Sequence, residues 1–346
     1  MKRTAAFILA LTFVFGGAAN IPFAGNDFAV TASAENSSAG FIINENGDGT
    51  CTVTKYIGKA ENVEIPSELF GMKVTGIGDN AFLFNKTMKT LVIPDTVTII
   101  SKCAFYSCYE LTSVKVGRGV EVMEDKAFFE CTKLSSVNIP ENTIYLGSLC
   151  FAETSVKNIT IPRKDCVLDD QLFSGCSKLE TLTLPSNLSN VPQLMCYGCT
   201  SLRSVTIPES TCYIKDGAFR GCSSLKTINI PAAVQAVGDY SIGFDMNSNK
   251  VSGFTVKVAA GTAGEAYAKK FGLNYTYGSG GSSSKGDVNG DGTVNVTDVS
   301  KAAAHVKGRK VLDSAAQKRA DVNGDGMVNV TDVSKTAAHV KGVKSL

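Results

Sequence analysis

The chain has 346 residues with 34 basic and 32 acidic side chains, which is enough length for one large domain or two smaller ones. The balanced charge argues against a nucleic-acid-binding surface. Tryptophan is absent, and the two histidines, His305 and His339, lie near the end of the chain. Residues 35–285 therefore contain no histidine-dependent catalytic triad and no Cys–His pair.

The first residues have the pattern of a secretory signal peptide. A basic start precedes the apolar run Ala5–Gly17, and the small residues Ala32 and Ala34 stand before Glu35. An uncleaved membrane anchor is the alternative, but the apolar run is shorter than the roughly 20 residues that a spanning helix needs. We therefore predict a signal peptide over residues 1–34, a secreted extracellular protein and no membrane span after cleavage.

A hairpin and a long repeat follow. Residues 41–57 contain two strand-like stretches around the turn Asn46-Gly47-Asp48-Gly49, which predicts a β-hairpin cap. After it the unit L-x-x-V-x-I-P recurs, and its V-x-I alternation indicates a short strand with one buried face that the proline ends. The last two residues of the unit recur every 22 or 23 residues, at Ile93-Pro94, Val116-Gly117, Ile139-Pro140, Ile161-Pro162, Leu184-Pro185, Ile207-Pro208 and Ile230-Pro231.

Each unit contains two further apolar positions. One unit cannot bury its own apolar side, but stacked units align equivalent residues in continuous columns. We predict a solenoid of about eight 23-residue coils over residues 62–245. One column comprises Ile77, Ile100, Met123, Leu146, Leu168, Val191, Ile214 and Val237, and the next comprises Phe82, Phe105, Phe128, Phe151, Phe173, Cys196, Phe219 and Ile242.

The cysteines follow the same period. Five of the 11 stand three residues after the phenylalanine column, at Cys108, Cys131, Cys176, Cys199 and Cys222. We expect a column of buried thiols that pack as small apolar groups. Disulfides between neighbours are an alternative, although they demand a specific geometry. A metal ladder is disfavoured because no histidine or second Cys pair completes a ligand set.

This repeat resembles the BspA-like, or Treponema-type, leucine-rich repeat of secreted and surface bacterial proteins. The resemblance is carried by the I-P after the strand and by the A-F-x-x-C phrase, seen at residues 104–108, 127–131 and 218–222. It implies a solenoid with a closing element after the last coil. The chain departs from the pattern at Asn85 and Thr154 in the Cys position and at Cys196 in the Phe position, where we expect local repacking.

The region after the coils matches a closing element. Residues 254–258 predict a strand, Gly264–Phe271 a short helix and Leu273–Tyr277 a further strand. The Gly/Ser-rich stretch 278–285 predicts a flexible linker. We therefore divide the mature chain into a repeat domain over 35–277, the linker, and a C-terminal module over 286–346.

The outward strand positions of the repeat are small and polar. Such a face suits contact with a protein or a glycan, and it is equally the expected surface of an ordinary soluble sheet. The positions are Thr90, Ser113, Ser136, Asn158, Thr181, Ser204 and Thr227, and beside them Val92, Lys115, Asn138, Thr160, Thr183, Thr206 and Asn229.

The C-terminal module contains 22 residues twice, at Asp287–Gly308 and Asp321–Gly342, which differ only at Thr293/Met327 and Ala302/Thr336. Calcium takes six to eight oxygen ligands, which a 12-residue loop supplies from alternate positions. We predict two calcium ions. The first set of ligands is Asp287, Asn289, Asp291, Thr293 (carbonyl), Asn295 and Asp298, and the second is Asp321, Asn323, Asp325, Met327 (carbonyl), Asn329 and Asp332.

The loops depart from the EF-hand, because the twelfth residue is Asp and no helix precedes the first loop. In both respects they resemble the type I dockerin of cellulosomal proteins. The resemblance implies a small all-α module with one helix after each loop and an internal two-fold. It also implies a partner, the cohesin domain of a scaffoldin or of an anchoring cell-surface protein.

The same resemblance assigns recognition to loop positions 10 and 11 and to the exposed face of the following helix. We expect Val299, Ala302 and Val306 to face the core. We expect both histidines to be exposed and to bind no metal. The predicted cohesin contacts are Val296, Thr297, Lys301, Ala304, His305, Val330, Thr331, Lys335, Ala338 and His339.

These elements predict an α+β chain, a leucine-rich-repeat solenoid with hairpin and strand caps followed by the dockerin. We expect a non-catalytic cellulosome component that displays a recognition surface and is held at the cell surface by cohesin. The alternative is a polysaccharide-degrading subunit, because dockerins often accompany glycoside hydrolases. No paired carboxylates recur across the repeats as such an enzyme requires.

Overall fold

The computed structural model describes residues 28–29, 40–277, 285–289, 294–343 and 345–346. Most of the predicted signal peptide and nearly all of the predicted linker lie outside these residues. The helices are α1 (Ala263–Phe271), α2 (Val296–Val306), α3 (Ser314–Ala320) and α4 (Val330–Val340). The strands are β1 (Phe28–Ala29), β2 (Phe41–Glu45), β3 (Thr50–Tyr56), β4 (Asn62–Glu64), β5 (Glu68–Leu69), β6 (Met72–Ile77), β7 (Thr90–Val92), β8 (Ile99–Ile100), β9 (Ser113–Lys115), β10 (Val122–Met123), β11 (Ser136–Val137), β12 (Tyr145–Leu146), β13 (Asn158–Thr160), β14 (Val167–Leu168), β15 (Thr181–Thr183), β16 (Asn190–Val191), β17 (Ser204–Val205), β18 (Tyr213–Ile214), β19 (Thr227–Asn229), β20 (Ala236–Val237), β21 (Thr255–Val258) and β22 (Asn274–Tyr277).

The N-terminal cap is the predicted hairpin. Strands β2 and β3 pair antiparallel, and β3 continues in parallel onto β6 of the first coil. Strand β1 pairs antiparallel with β2, with Phe28 opposite Ile43. The hairpin thus covers the open end of the stacked coils, which would otherwise expose unpaired backbone groups.

Each coil contributes two very short strands to two parallel ladders. In one ladder the V-x-I strands lie in register, with Leu91 opposite Val114 and Ile159 opposite Leu182. In the other, Ile77 lies opposite Ile100, which lies opposite Met123. Because equivalent residues stack directly, both predicted apolar columns are buried or half-buried. The solenoid predicted from the period is confirmed.

The phenylalanine column forms a stack of rings through the core. The centroids of Phe82 and Phe105 are 4.8 Å apart, those of Phe105 and Phe128 5.0 Å, and those of Phe128 and Phe151 5.4 Å. Phe173 continues the stack at 5.9 Å. These spacings are close to the separation of neighbouring strands, so the backbone ladder and the ring stack have the same repeat.

The thiol column is present, and all eleven cysteines are free. Each of its five thiols donates a hydrogen bond to the backbone carbonyl of the phenylalanine-column residue in the preceding coil, for example Cys176 to Phe151 at 3.0 Å. At the two departures in the Cys position, a side-chain oxygen forms a hydrogen bond within its own coil instead. Asn85 Oδ1 accepts from the backbone of Met88 at 2.8 Å, and Thr154 Oγ1 donates to the Phe151 carbonyl at 2.8 Å.

The C-terminal cap also follows the prediction. Strand β21 extends the V-x-I ladder from β19, α1 packs beside it, and β22 pairs in parallel with β21. Glu265 in α1 accepts hydrogen bonds from Tyr277 Oη at 2.6 Å and the Gly261 N–H at 2.6 Å, and pairs with Lys269 at 2.8 Å. These contacts hold the last strand to the cap. No helix within the described residues is long and apolar enough to cross a membrane.

Candidate calcium loops and partner-binding helices

The second loop surrounds a cluster of three carboxylates. Oxygen atoms of Asp321, Asp325 and Asp332 lie within 4.8 Å of one another. Asp321 begins the loop, and its Oδ1 accepts the backbone N–H of Gly324 at 2.7 Å while its Oδ2 accepts that of Gly326 at 2.8 Å. Gly326 has φ 84, a left-handed conformation that glycine adopts without a steric cost. The tight turn therefore folds the loop around its own first ligand.

Asp332 fixes the other end of the loop. It is fully buried, its Oδ1 accepts the backbone N–H of Val322 at 3.0 Å and that of Asn323 at 3.2 Å, and its Oδ2 accepts that of Asn329 at 3.0 Å. Asn329 is the N-cap of α4 and forms a capping box with Asp332. A buried carboxylate thus joins the start of the loop to the start of the helix.

Asp325 projects from the exposed part of the loop. Its Oδ2 accepts the Asn323 amide at 2.8 Å and the Asn329 amide at 3.4 Å. The backbone N–H of Met327 and the Asn323 amide hold the pKa of the Asp325 carboxyl below its ordinary value. The carboxylate is therefore ionised at neutral pH, and both amides that we predicted as ligands converge on it.

The donor set fits calcium. The three carboxylates offer only hard oxygen ligands, which calcium prefers, and no cysteine or histidine belongs to the cluster. Within the described part of the chain, no lysine or arginine forms a salt bridge with Asp321, Asp325 or Asp332. Calcium would supply the positive charge that compensates three adjacent carboxylates.

In the described part of the first loop, a buried aspartate accepts backbone hydrogen bonds as in the second loop. Asp298 is buried, its Oδ1 accepts the Asn289 backbone N–H at 2.9 Å, and its Oδ2 accepts that of Asn295 at 2.9 Å. Asn295 caps α2 with the same capping box as Asn329 in α4. Asp287 is buried beside this frame. The predicted ligands Asp291 and Thr293 lie outside the described residues.

The two loop helices present matching faces. Helices α2 and α4 pack against each other, and the buried positions Ala302 and Thr336 are equivalent in the two copies. Val296 and Val330, the first residues of the helices, are each 67% exposed. Thr297 and Thr331 beside them are exposed as well. Of the predicted core residues, Ala302 is buried while Val299 and Val306 are half-buried.

The remaining predicted contacts lie at the rim of this face. Lys335 is exposed, and Lys301, Ala304, Ala338 and His339 are half-buried. The expectation that both histidines are exposed was wrong, since His305 and His339 are half-buried. His305 Nδ1 accepts the backbone N–H of Leu312 at 3.2 Å, because the segment after α2 folds back against the helix.

A groove of about 560 Å³ borders α2, and Thr297, Lys301 and Ala304 line it together with Val311 and Ala316. Val311 is 79% exposed, and we did not predict it as a contact because it lies outside the duplicated 22 residues. The groove extends the predicted contact surface beyond the helix to the segment that precedes α3.

Helix α3 was also missed. It begins at its N-cap Asp313, whose Oδ1 accepts the Ala316 N–H at 2.8 Å, and Arg319 donates its Nε to the Asp287 carbonyl at 2.7 Å. Lys285, at the end of the predicted linker, donates to the Val322 carbonyl at 3.2 Å. Both contacts tie the first loop to the second half of the module. The N-cap Asp313 was the available sequence signal.

Comparison with protein families gives two matches. The BspA type leucine rich repeat region matches residues 55–168 and 150–255, in six copies, which is more than half of the chain. The dockerin type I domain matches residues 285–339. A comparison with curated proteins gave no match.

Solved structures of leucine-rich repeat proteins have a similar fold. One from Bacteroides ovatus superposes with a TM-score of 0.56 at 20% identity, covering 68% of this chain and 65% of that one. The T. pallidum leucine-rich repeat protein gives a TM-score of 0.50 at 24% identity, covering 54% of this chain and 87% of that one. This chain thus spans less than two thirds of the length of the Bacteroides protein. The chain belongs to the BspA-type leucine-rich repeat family and carries a C-terminal type I dockerin module.

Proposed function

We propose that this chain is a secreted, non-catalytic component of a cellulosome. Its dockerin binds a cohesin of a scaffoldin or cell-surface protein in a calcium-dependent manner, and its repeat domain displays a recognition surface for a protein or glycan. The observation that carries this proposal is the duplicated loop and helix. The second loop holds a cluster of three carboxylates, and each helix begins with an exposed Val-Thr pair.

Each of the two sets of six ligands predicted above would bind one calcium ion. The chain would comprise a signal peptide (1–34), a repeat domain (35–277), a linker (278–285) and the dockerin (286–346). For the second loop, the convergent carboxylates of Asp321, Asp325 and Asp332 support a bound cation. For the first loop, the matching frame around Asp298 supports an equivalent site.

On the repeat domain, the polar strand columns are candidates for ligand contact. Thr181, Thr183, Thr206 and Thr227 are exposed on neighbouring coils. Their hydroxyl groups can donate and accept hydrogen bonds, so this face can contact either a protein backbone or a sugar.

The second candidate is a polysaccharide-degrading enzyme. A hydrolase of that kind needs two carboxylates fixed across a cleft. On the solenoid, carboxylates such as Asp170 and Asp239 form ion pairs with Lys215 and Lys270. No specific observation favours catalysis, and both matched domain types are non-catalytic kinds.

The test is a binding assay of the purified full chain against a panel of cohesins, with calcium and with excess chelator. We expect binding to at least one cohesin in calcium and none in chelator. Binding that persists in chelator contradicts the calcium dependence, and absence of binding to every cohesin contradicts the proposal. Release of reducing sugar from plant polysaccharides by the same preparation would support the enzyme.

A further inference from the structure

Seven coils contain a left-handed residue two positions after the phenylalanine column. The last three full coils place glycine there, at Gly175, Gly198 and Gly221, with φ between 74 and 85. The earlier coils place Phe84, Ser107, Glu130 and Glu153 there, with φ between 54 and 58. Side chains other than glycine cost roughly 1–2 kcal/mol in this conformation. The earlier coils therefore retain side chains at a position where glycine would be more stable.

Phe84 is the aromatic residue among those at this position. The left-handed backbone recurs there in the neighbouring coils, so it does not by itself distinguish Phe84. The distinguishing feature is that this apolar residue is 51% exposed and lies beside other aromatic side chains. This combination makes Phe84 a candidate for ligand contact.

The Phe84 ring begins a row of aromatic side chains across three coils. Its centroid lies 5.7 Å from that of Tyr106, and Tyr106 lies 5.2 Å from Phe129. We call these three residues the aromatic ridge. Tyr106 and Phe129 are half-buried, so one part of each ring packs on the solenoid while the other part remains accessible. Lys126 Nζ lies 6.0 Å from the centre of the Phe129 ring.

Polar groups stand beside the ridge. Ser107 is fully buried and donates its hydroxyl to Glu130 Oε2 at 2.7 Å, which fixes the carboxylate. The hydroxyl of Tyr109, which is 40% exposed, lies 3.5 Å from the same oxygen. Glu130 Oε1 accepts no hydrogen bond from any residue that the structure describes. The ridge is thus bordered by an oriented acceptor with a free oxygen.

The size and chemistry of this surface indicate its ligand. Three aromatic side chains that are each at least partly packed on the solenoid offer far less surface than the about 800 Å² per partner that a stable protein interface buries. A sugar ring offers an apolar C–H face for an aromatic ring and hydroxyl groups for a neighbouring carboxylate. The Glu130 carboxylate, whose free oxygen can accept a hydroxyl, would repel an acidic sugar.

We propose that the aromatic ridge and Glu130 form a binding site for a neutral polysaccharide chain. The inference deepens the recognition role proposed above and rests on it. It locates the glycan at the loop edge of the first coils, away from the polar strand columns. The planes of the Phe84 and Tyr106 rings differ by 90° and those of Tyr106 and Phe129 by 46°, so the rings would contact the apolar C–H groups of consecutive sugar units with faces and edges. Glu130 would accept a hydroxyl from one of these units.

The test measures binding of cellohexaose, xylohexaose, mannohexaose and a galacturonic acid hexamer to the full chain by calorimetry. We compare the wild type with Phe84→Gly and Glu130→Gln. The control is Phe70→Gly, because Phe70 is 49% exposed at φ 55 and lies outside the ridge. Thermal unfolding of each variant is measured in parallel.

We expect the wild type to bind at least one neutral hexamer and not the acidic one. Phe84→Gly should lose roughly tenfold or more in affinity while its unfolding temperature stays equal or rises, since glycine relieves the left-handed strain. Glu130→Gln should also weaken binding, and Phe70→Gly should bind as the wild type does.

Three results would overturn the proposal: no binding of any neutral hexamer, preference for the acidic hexamer, or unchanged affinity in Phe84→Gly. Cohesin binding of the same preparations distinguishes this failure from failure of the dockerin role. If cohesin binds but no glycan does, only the glycan site is refuted. If a glycan binds but no cohesin does, only the dockerin assignment is refuted.

Discussion

The thiol of Cys131 donates a hydrogen bond to the backbone carbonyl of Phe105 in the preceding coil, with 3.1 Å between Sγ and the oxygen. The equivalent bond joins Cys199 to Phe173 at 3.1 Å. In each case a buried carbonyl that already accepts a backbone N–H of its own coil gains a second donor from the next coil. The column thus links neighbouring coils as well as filling space.

Replacing Cys131 by alanine should therefore destabilise the solenoid. The variant loses the hydrogen bond and leaves a small cavity, which together cost about 1–3 kcal/mol. Urea unfolding followed by circular dichroism measures the change. Cys103→Ala is the matched control, because that thiol is half-buried and outside the column. Equal stability of the two variants would contradict the structural role of the thiol bond.

The column should also be chemically inert in the native protein. Burial raises the pKa of the Cys131 thiol well above its ordinary value, and burial also raises the pKa of the Cys176 and Cys222 thiols, so none of the three forms a thiolate at pH 8. We expect an alkylating reagent to label Cys103 and Cys212 in the native chain and all eleven cysteines after denaturation. Mass spectrometry without reductant counts the labelled sites, and fewer labels after denaturation would reveal disulfides.

Calcium stoichiometry tests the two loops separately. The wild-type chain should bind two ions in a calorimetric titration, with a rise in helix content, because binding and folding are linked. Changing both Asp321 and Asp325 to asparagine should leave one ion, since two of three converging carboxylates lose their charge. Asp48→Asn in the hairpin turn is the control and should retain both. A double variant that still binds two ions would refute the assignment.

The matching helix faces predict two modes of docking, related by a rotation of about 180°. One double variant changes Val296 and Thr297 to glutamate, and a second changes Val330 and Thr331 to glutamate. The affinity of each double variant for cohesin should stay within a few fold of the wild-type affinity. Changing all four should abolish it. Surface plasmon resonance against one cohesin gives the comparison. Loss of binding from one pair alone would show that a single helix docks.

The C-terminal cap should weaken in acid. Lys269, Tyr277 and Gly261 lower the pKa of Glu265 to about 2, from an ordinary value of 4.5. A carboxylate with a lowered pKa stabilises the fold above pH 4.5, and this contribution is lost as the pH falls toward 2. Glu265→Gln should therefore be less stable than the wild type at pH 7 and equal to it near pH 2. A constant difference across this range would exclude the linkage.

The coils were predictable from sequence because every unit repeats the same apolar positions, and stacking requires equivalent residues to meet. The pairing of Ile100 with Ile77 and the ring stack from Phe82 to Phe173 follow from that period. The frames of the calcium loops were predictable for a similar reason, since the spacing of their oxygen ligands occurs twice.

The features that sequence reasoning missed do not repeat. Helix α3 spans only seven residues, and the buried residues within it, Ala316 and Ala320, are small, so its apolar pattern is weak. The N-cap Asp313 was the clearest sequence signal for it. The aromatic ridge occupies positions that change identity from coil to coil, so the period gave no signal there. The contact of His305 with Leu312 depends on how the segment after α2 turns back, which helix periodicity does not determine.

The two loop-helix copies differ at only two positions, and neither is a predicted docking residue. Thr336 is buried where the first copy has Ala302, and position 327 would contribute a backbone carbonyl in either copy. The two docked orientations would therefore have nearly equal energies. Two bound orientations of equal energy make the free energy of binding more favourable by RT ln 2, which is about 0.4 kcal/mol. The gain is entropic, because the complex can occupy either orientation. On a crowded scaffold, the same degeneracy would let the repeat domain point to either side of its cohesin without loss of binding strength.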